Sequence, residues 1–148
     1  MKTIIITLIS LFVSTNMVAQ DVDFNIQKGY VVEGYDVVSY FNNEVKKGLK
    51  DYTTTYQGSK FKFSSQENLD TFLSNPEAYI PQYGGYCAYA IALKNKKVKV
   101  NPETYEIRDG KLYLFYNAWG TNTLDLWLED DVKGLQEKGD KNWEAMNF

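Results

Sequence analysis

The chain holds one cysteine, Cys87, and no histidine in its 148 residues. No internal disulfide, CxxC redox pair or four-thiolate zinc knot can therefore staple it, and the fold must rest on an apolar core. The missing imidazole also removes Ser-His-Asp triads, Cys–His dyads and His-ligated metal sites. The net charge of −3 argues against nucleic acid as a partner, because such binders present a basic face.

The N-terminus reads Met1-Lys2-Thr3, then an apolar run from Ile4 to Val13, then Ser14-Thr15-Asn16 and Ala19. A short cationic start, an apolar centre and a small residue before the cut predict a secretory signal peptide over 1–19, cleaved after Ala19. The alternative is a buried N-terminal strand or helix. The run is too short to span a bilayer, which needs about 20 apolar residues. A periplasmic or secreted location is expected, with no membrane span after cleavage. Residues 20–148, without repeat or linker, form one expected domain large enough to bury a core.

Residues 30–33 and 37–41 read as short strands around Gly34-Tyr35-Asp36. Residues 52–57 and 60–63 read as a hairpin, with Phe61 and Phe63 alternating against Lys60 and Lys62. Ser64 with Glu67 fits a capping box, and Leu69, Phe72 and Leu73 give the following helix its apolar stripe. Asn75-Pro76 ends it. Ala88, Ala90 and Ala92 favour a short helix behind the Gly84-Gly85 loop. A second hairpin, 104–108 with 111–116, turns at Asp109-Gly110. Leu124, Trp127, Leu128, Val132 and Leu135 keep helical spacing; Gly134 and Gly139 weaken the stretch, which reads equally as one helix or as two consecutive helices. The expected class is α+β: a small antiparallel sheet built from hairpins, with helices packed on one side.

Several stretches together resemble the YHS-domain family, in particular its longer exported bacterial members. They are Gly34-Tyr35-Asp36-Val37-Val38-Ser39-Tyr40-Phe41, Tyr56 to Ser65, Asn75-Pro76-Glu77-Ala78-Tyr79, the run Pro81 to Ala88, Asp109 to Leu114, and Asn142-Trp143. The resemblance runs from about residue 30 to 143, and Gly84-Gly85-Tyr86-Cys87-Ala88 is its most specific part. It implies a small α+β domain and a loose association with metal, copper or zinc. Short members carry paired cysteines that look like metal ligands; this chain has Ser64, Ser65 and Asn68 in that region, so the ligand set does not carry over.

Cys87 then has three readings. As a metal ligand it lacks partners, since only Met146 offers a second soft donor after leader removal. As a reactive thiol it would use the amides at the start of the Ala88 helix, with Gly84 and Gly85 admitting a substrate to the backbone, but no histidine exists to move protons. As a packing residue it would sit buried between Tyr86 and Ala88. A pocket for a small ligand, or a surface for a protein partner, would draw on Tyr83, Tyr86, Tyr89, Tyr35, Asp36 and Tyr40, because a phenol offers an apolar face and a hydroxyl. The leading expectation is a non-enzymatic binding module centred on Tyr83–Ala88. The alternatives are a thiol-dependent enzyme or redox protein using Cys87, and a purely structural or interaction module. Trp119, Trp127 and Trp143 read as core residues, and Lys94 to Lys99 as a solvated loop.

Overall fold

The computed structural model describes residues 21–147; the expected leader, 1–19, lies outside them. The order is β1 (Ile26–Gln27), β2 (Tyr30–Val31), β3 (Leu49–Tyr56), β4 (Ser59–Phe63), α1 (Gln66–Ser74), α2 (Ala88–Lys94), β5 (Asn101–Arg108), β6 (Lys111–Phe115), β7 (Asn117–Ala118), β8 (Thr121–Asn122), α3 (Thr123–Glu129) and α4 (Val132–Asn147). The α+β expectation holds. Among the described residues the strands form four separate antiparallel pairs, β1–β2, β3–β4, β5–β6 and β7–β8.

Each pair closes through a two-residue turn whose second residue is glycine: Lys28-Gly29, Gln57-Gly58, Asp109-Gly110 and Trp119-Gly120. Both residues of every turn have positive φ. That is the turn geometry whose twist matches the flanking strands. In β4, Phe61 and Phe63 are buried, as the alternation predicts.

Two apolar clusters hold the chain. In the first, α1 covers the β3–β4 hairpin. Phe72 sits 4.9 Å from Phe61, 5.0 Å from Phe63 and 5.8 Å from Tyr56, ring centroid to centroid. Such ring pairs contribute about 0.5–1.5 kcal/mol each beyond simple burial. In the second, Ile91 of α2, Trp127 of α3 and Leu135 of α4 close over Tyr113 and Phe115 of β6. The helices after α1 thus gather around the second hairpin, and the segment 82–88 lies between the two clusters.

Two local expectations change. Residues 37–41 are not a strand. Asp36 accepts the amides of Val38 and Ser39 on Oδ1, at 2.9 and 3.2 Å, and Ser39–Asn42 coil into a 3-10 turn. A carboxylate capping the next turn outweighs the β-propensity of Val-Val. The cap of α1 is Ser65, which accepts from the Asn68 amide at 3.1 Å, rather than Ser64. Ser64 is turned the other way, toward Asp36.

Candidate functional site

The segment Gln82–Gly85 is a tight 3-10 turn in which Tyr83 and Gly84 are both left-handed, at φ +54° and +62°. Left-handed backbone is unfavourable for a bulky L-residue, so Tyr83 must be held by its surroundings. Its ring is 4 % exposed and its hydroxyl reaches α4, 2.9 Å from Asp140 Oδ1. Gly139 makes this approach feasible: a Cβ there would lie 2.5 Å from the Tyr83 hydroxyl. Burial, then the Asp140 charge, pushes the Tyr83 phenol well above the usual tyrosine range.

The glycine pair receives protein, not substrate. A Cβ on Gly84 would lie 2.0 Å from the Asp23 carbonyl oxygen. The Asn25 amide donates to Gly84 O at 2.8 Å, and its side-chain nitrogen donates to Gly85 O at 3.1 Å. Residues 23–25 therefore fill the approach that sequence reasoning had left for a ligand. Tyr86 faces the same junction: its ring lies 6.1 Å from Trp143, and burial and Asp23 raise its phenol pKa. Lys97 pairs with Asp23 and stands 5.3 Å from the Trp143 ring centroid.

Beside this turn opens a cleft of about 350 Å³. Its lining includes Pro81, Tyr83 and Gly84 from the loop, Glu77 before it, and Asp140, Trp143 and Glu144 from α4. Among the lining residues there is no Lys or Arg. Asp140, Trp143 and Glu144 stand at i, i+3 and i+4, so one face of α4 presents them together. That spacing is legible in the sequence; that the face meets Tyr83 is not. Glu77 accepts the hydroxyl of Tyr56.

Cys87 is 0 % exposed. The helix does start at Ala88, yet Cys87 makes no side-chain bond to its amides. Its Sγ lies 3.2 Å from Thr123 Oγ1. The single Thr123 hydroxyl proton is directed at Tyr116 O, 2.8 Å away, so the thiol is the donor to Thr123. The sulfur thus makes no bond to the helix start and is paired with Thr123 instead. A second, largely apolar cleft of about 310 Å³ reaches it: Cys87 and Thr123 line this cleft together with Tyr89, Lys94, Val98 and Tyr116.

The residues around Cys87 do not fit copper or zinc. Such ions need several soft or imidazole donors. Among the described residues no group of three or more His, Cys, Asp or Glu side chains is placed to hold a metal ion. Met146 packs against the second apolar cluster and Cys87 belongs to the first.

Asp36, Tyr35 and Tyr40 lie elsewhere. Asp36 is 0 % exposed, and beyond Val38 and Ser39 its Oδ2 accepts Ser64 N at 2.8 Å, Ser64 Oγ at 2.6 Å and Asn68 Nδ2 at 2.7 Å. Five donors on two oxygens leave this carboxylate no room for a ligand. Tyr40 is core: its hydroxyl donates to Pro102 O at 2.6 Å, and burial raises its pKa strongly. Tyr35 borders a third cleft, about 340 Å³, with Asn101, Glu103 and Tyr116. The structure thus gathers Tyr83, Gly84, Gly85 and Tyr86 at one junction and leaves Tyr35, Asp36 and Tyr40 apart from it. Of the tryptophans, Trp127 is core and Trp143 half-buried. Trp119 corrects the core expectation, being 97 % exposed.

Residues 42–83 match the model of the YHS domain family. The match spans the β3–β4 hairpin and α1 and ends at Tyr83, short of the Gly84–Ala88 stretch. No curated protein matches the chain. No solved structure matches it either.

Proposed function

We propose that this is an exported, non-enzymatic binding module whose ligand is a small organic molecule carrying a cationic nitrogen. The ligand would sit in the cleft between the Tyr83 turn and α4. One observation carries the reading: Glu77, Asp140 and Glu144 line the cleft along with Trp143 and Tyr83, and no Lys or Arg is among its lining residues. Carboxylates and aromatic faces are the groups that recognise ammonium ions. The left-handed Tyr83 and the mid-helix Gly139 are both unfavourable locally and both shape this cleft, as expected where strain serves a site. The absence of histidine and the buried, hydrogen-bonded Cys87 support a binding role over a catalytic one.

Calorimetry and thermal-shift assays with spermidine and choline, and glutarate as control, test the reading. The cations should raise the melting temperature and glutarate should not. Trp143→Ala and Glu144→Gln should each weaken binding without unfolding the chain. A folded protein indifferent to both cations, or an unchanged affinity in Trp143→Ala, would overturn it. Export rests on residues 1–19; N-terminal sequencing of protein recovered outside the cytoplasm should begin at Gln20.

A further inference from the structure

The β7–β8 hairpin carries a residue the fold does not use. Three of the four two-residue turns begin with Lys, Gln or Asp, polar residues suited to solvent; the fourth begins with Trp119. Its φ is +53°, unfavourable for an aromatic L-residue, and its side chain is 97 % exposed. The indole therefore stabilises neither the turn nor the core.

The hairpin beneath it is braced. Asn117 Nδ2 donates to Thr104 Oγ1 at 3.1 Å, and Thr123 N and Oγ1 both donate to Tyr116 O, at 2.9 and 2.8 Å. Trp119 is thus presented on a fixed support.

Lysines stand beside the hairpin's base. The 94–99 loop holds four exposed lysines. Lys94 faces Thr121 of the hairpin across one cleft, and Lys99 faces Asn117 and Ala118 across another. Lys96 lies between them in the chain. Lys97 is paired with Asp23, and two acids line the Lys99 cleft, Glu103 and Glu33, the latter paired with Lys28. An exposed indole on a hairpin that meets Lys94 and Lys99, with Lys96 between them in the chain and none of the three in an ion pair among the described residues, stands out on a chain of net charge −3.

We propose that Trp119, with Lys94, Lys96 and Lys99, docks the protein on the surface of a bilayer containing acidic phospholipid. The indole belongs at the headgroup level, where tryptophan concentrates. The lysines match the negative surface potential. This assignment is independent of the ligand cleft, which lies at the Tyr83–α4 junction.

The test is co-sedimentation of the full chain with phosphatidylglycerol–phosphatidylcholine vesicles and with pure phosphatidylcholine vesicles. The apolar stretch 4–13 is common to every variant, so differences between variants isolate the hairpin. Trp119→Ala should weaken binding to acidic vesicles by about tenfold or more. Neutralisation should weaken it about fivefold for each lysine, and about a hundredfold for Lys94→Gln, Lys96→Gln and Lys99→Gln together. All four side chains are exposed, and an unchanged circular-dichroism melt verifies folding. A blue shift in emission on adding acidic vesicles, absent in Trp119→Phe, would place the indole in the interface. Unchanged binding in Trp119→Ala, equal binding to neutral vesicles, or no vesicle binding by the wild type would each overturn the proposal; the last would leave Trp119 to a protein partner.

Discussion

Replacing Asp36 with Asn changes one atom and reverses the polarity of half a buried network. The wild-type carboxylate accepts five hydrogen bonds, two on Oδ1 and three on Oδ2. An amide can keep its oxygen toward Val38 and Ser39, but its NH₂ then faces the Ser64 amide, the Ser64 hydroxyl and the Asn68 NH₂. The hydroxyl can rotate to accept; the other two donors cannot. A buried donor left unsatisfied costs about 1–3 kcal/mol, so Asp36→Asn should destabilise by about 3 kcal/mol. That is a large share of the roughly 5–15 kcal/mol available to a domain. For a chain of this size the melting temperature should fall by about 10 °C. Asn68→Ala removes one donor and should cost about 1 kcal/mol. The double change Asp36→Asn with Asn68→Asp restores a donor–acceptor pair and should recover part of the loss, as coupled neighbours do. Urea unfolding followed by circular dichroism measures all four proteins. If Asp36→Asn stays within about 0.5 kcal/mol of wild type, the network is not the tie between the Asp36 turn and α1 that its geometry implies.

Other expectations follow from the same contacts. Native Cys87 should resist alkylation until urea unfolds the chain, and Cys87→Ala should cost about 1 kcal/mol or more while leaving spermidine binding unchanged; fast alkylation of the folded protein would contradict the burial. Gly139→Ala should destabilise by about 1–3 kcal/mol despite the better helix propensity of alanine, because the new methyl meets the Tyr83 hydroxyl; a gain in melting temperature would refute that contact. Tyr40 and Tyr83 ionise in the folded state only above their ordinary value of 10.0, chiefly because they are buried. The unfolded chain then loses phenolic protons first, so the stability these groups contribute is complete below pH 10 and is lost as the pH rises above it. Melting temperatures across that range, with phenolate absorbance, should show unfolding and ionisation of these two rings together.

The elements set by local pattern were legible in the sequence. The Phe61/Phe63 alternation, the Asp109-Gly110 turn and the alanines of α2 each state their structure within a few residues; the break between α3 and α4 does not, since it falls at Asp130-Asp131 while Gly134 and Gly139 lie inside α4. What was not legible depends on long-range partners. Ser64 and Ser65 are equivalent as caps until Asp36, 28 residues upstream, takes Ser64. Asp36 also explains residues 37–41, whose Val-Val-Ser-Tyr-Phe composition suits a strand but whose amides bond to a carboxylate. Gly84 and Gly85 announce close approach by something, and only the fold shows that it is Asp23 and Asn25. The Tyr83–α4 cleft was half legible: Tyr83 and Gly84 were candidates, while Trp143 read as core and Asp140 and Glu144 drew no reading. Trp119 carried a usable signal in its position directly before Gly120, in a hairpin turn rather than on a periodic apolar face.

The central claim is that the Tyr83–α4 cleft receives a cationic nitrogen. A spermidine titration of the ¹⁵N-labelled chain, followed through the three indole N–H resonances, tests it most directly. The Trp143 indole and the Gly84 amide should shift together and saturably, while the indoles of Trp127 and Trp119 stay in place. A Trp143 resonance that does not move, or one that moves only in step with Trp119 and without saturation, would contradict the account.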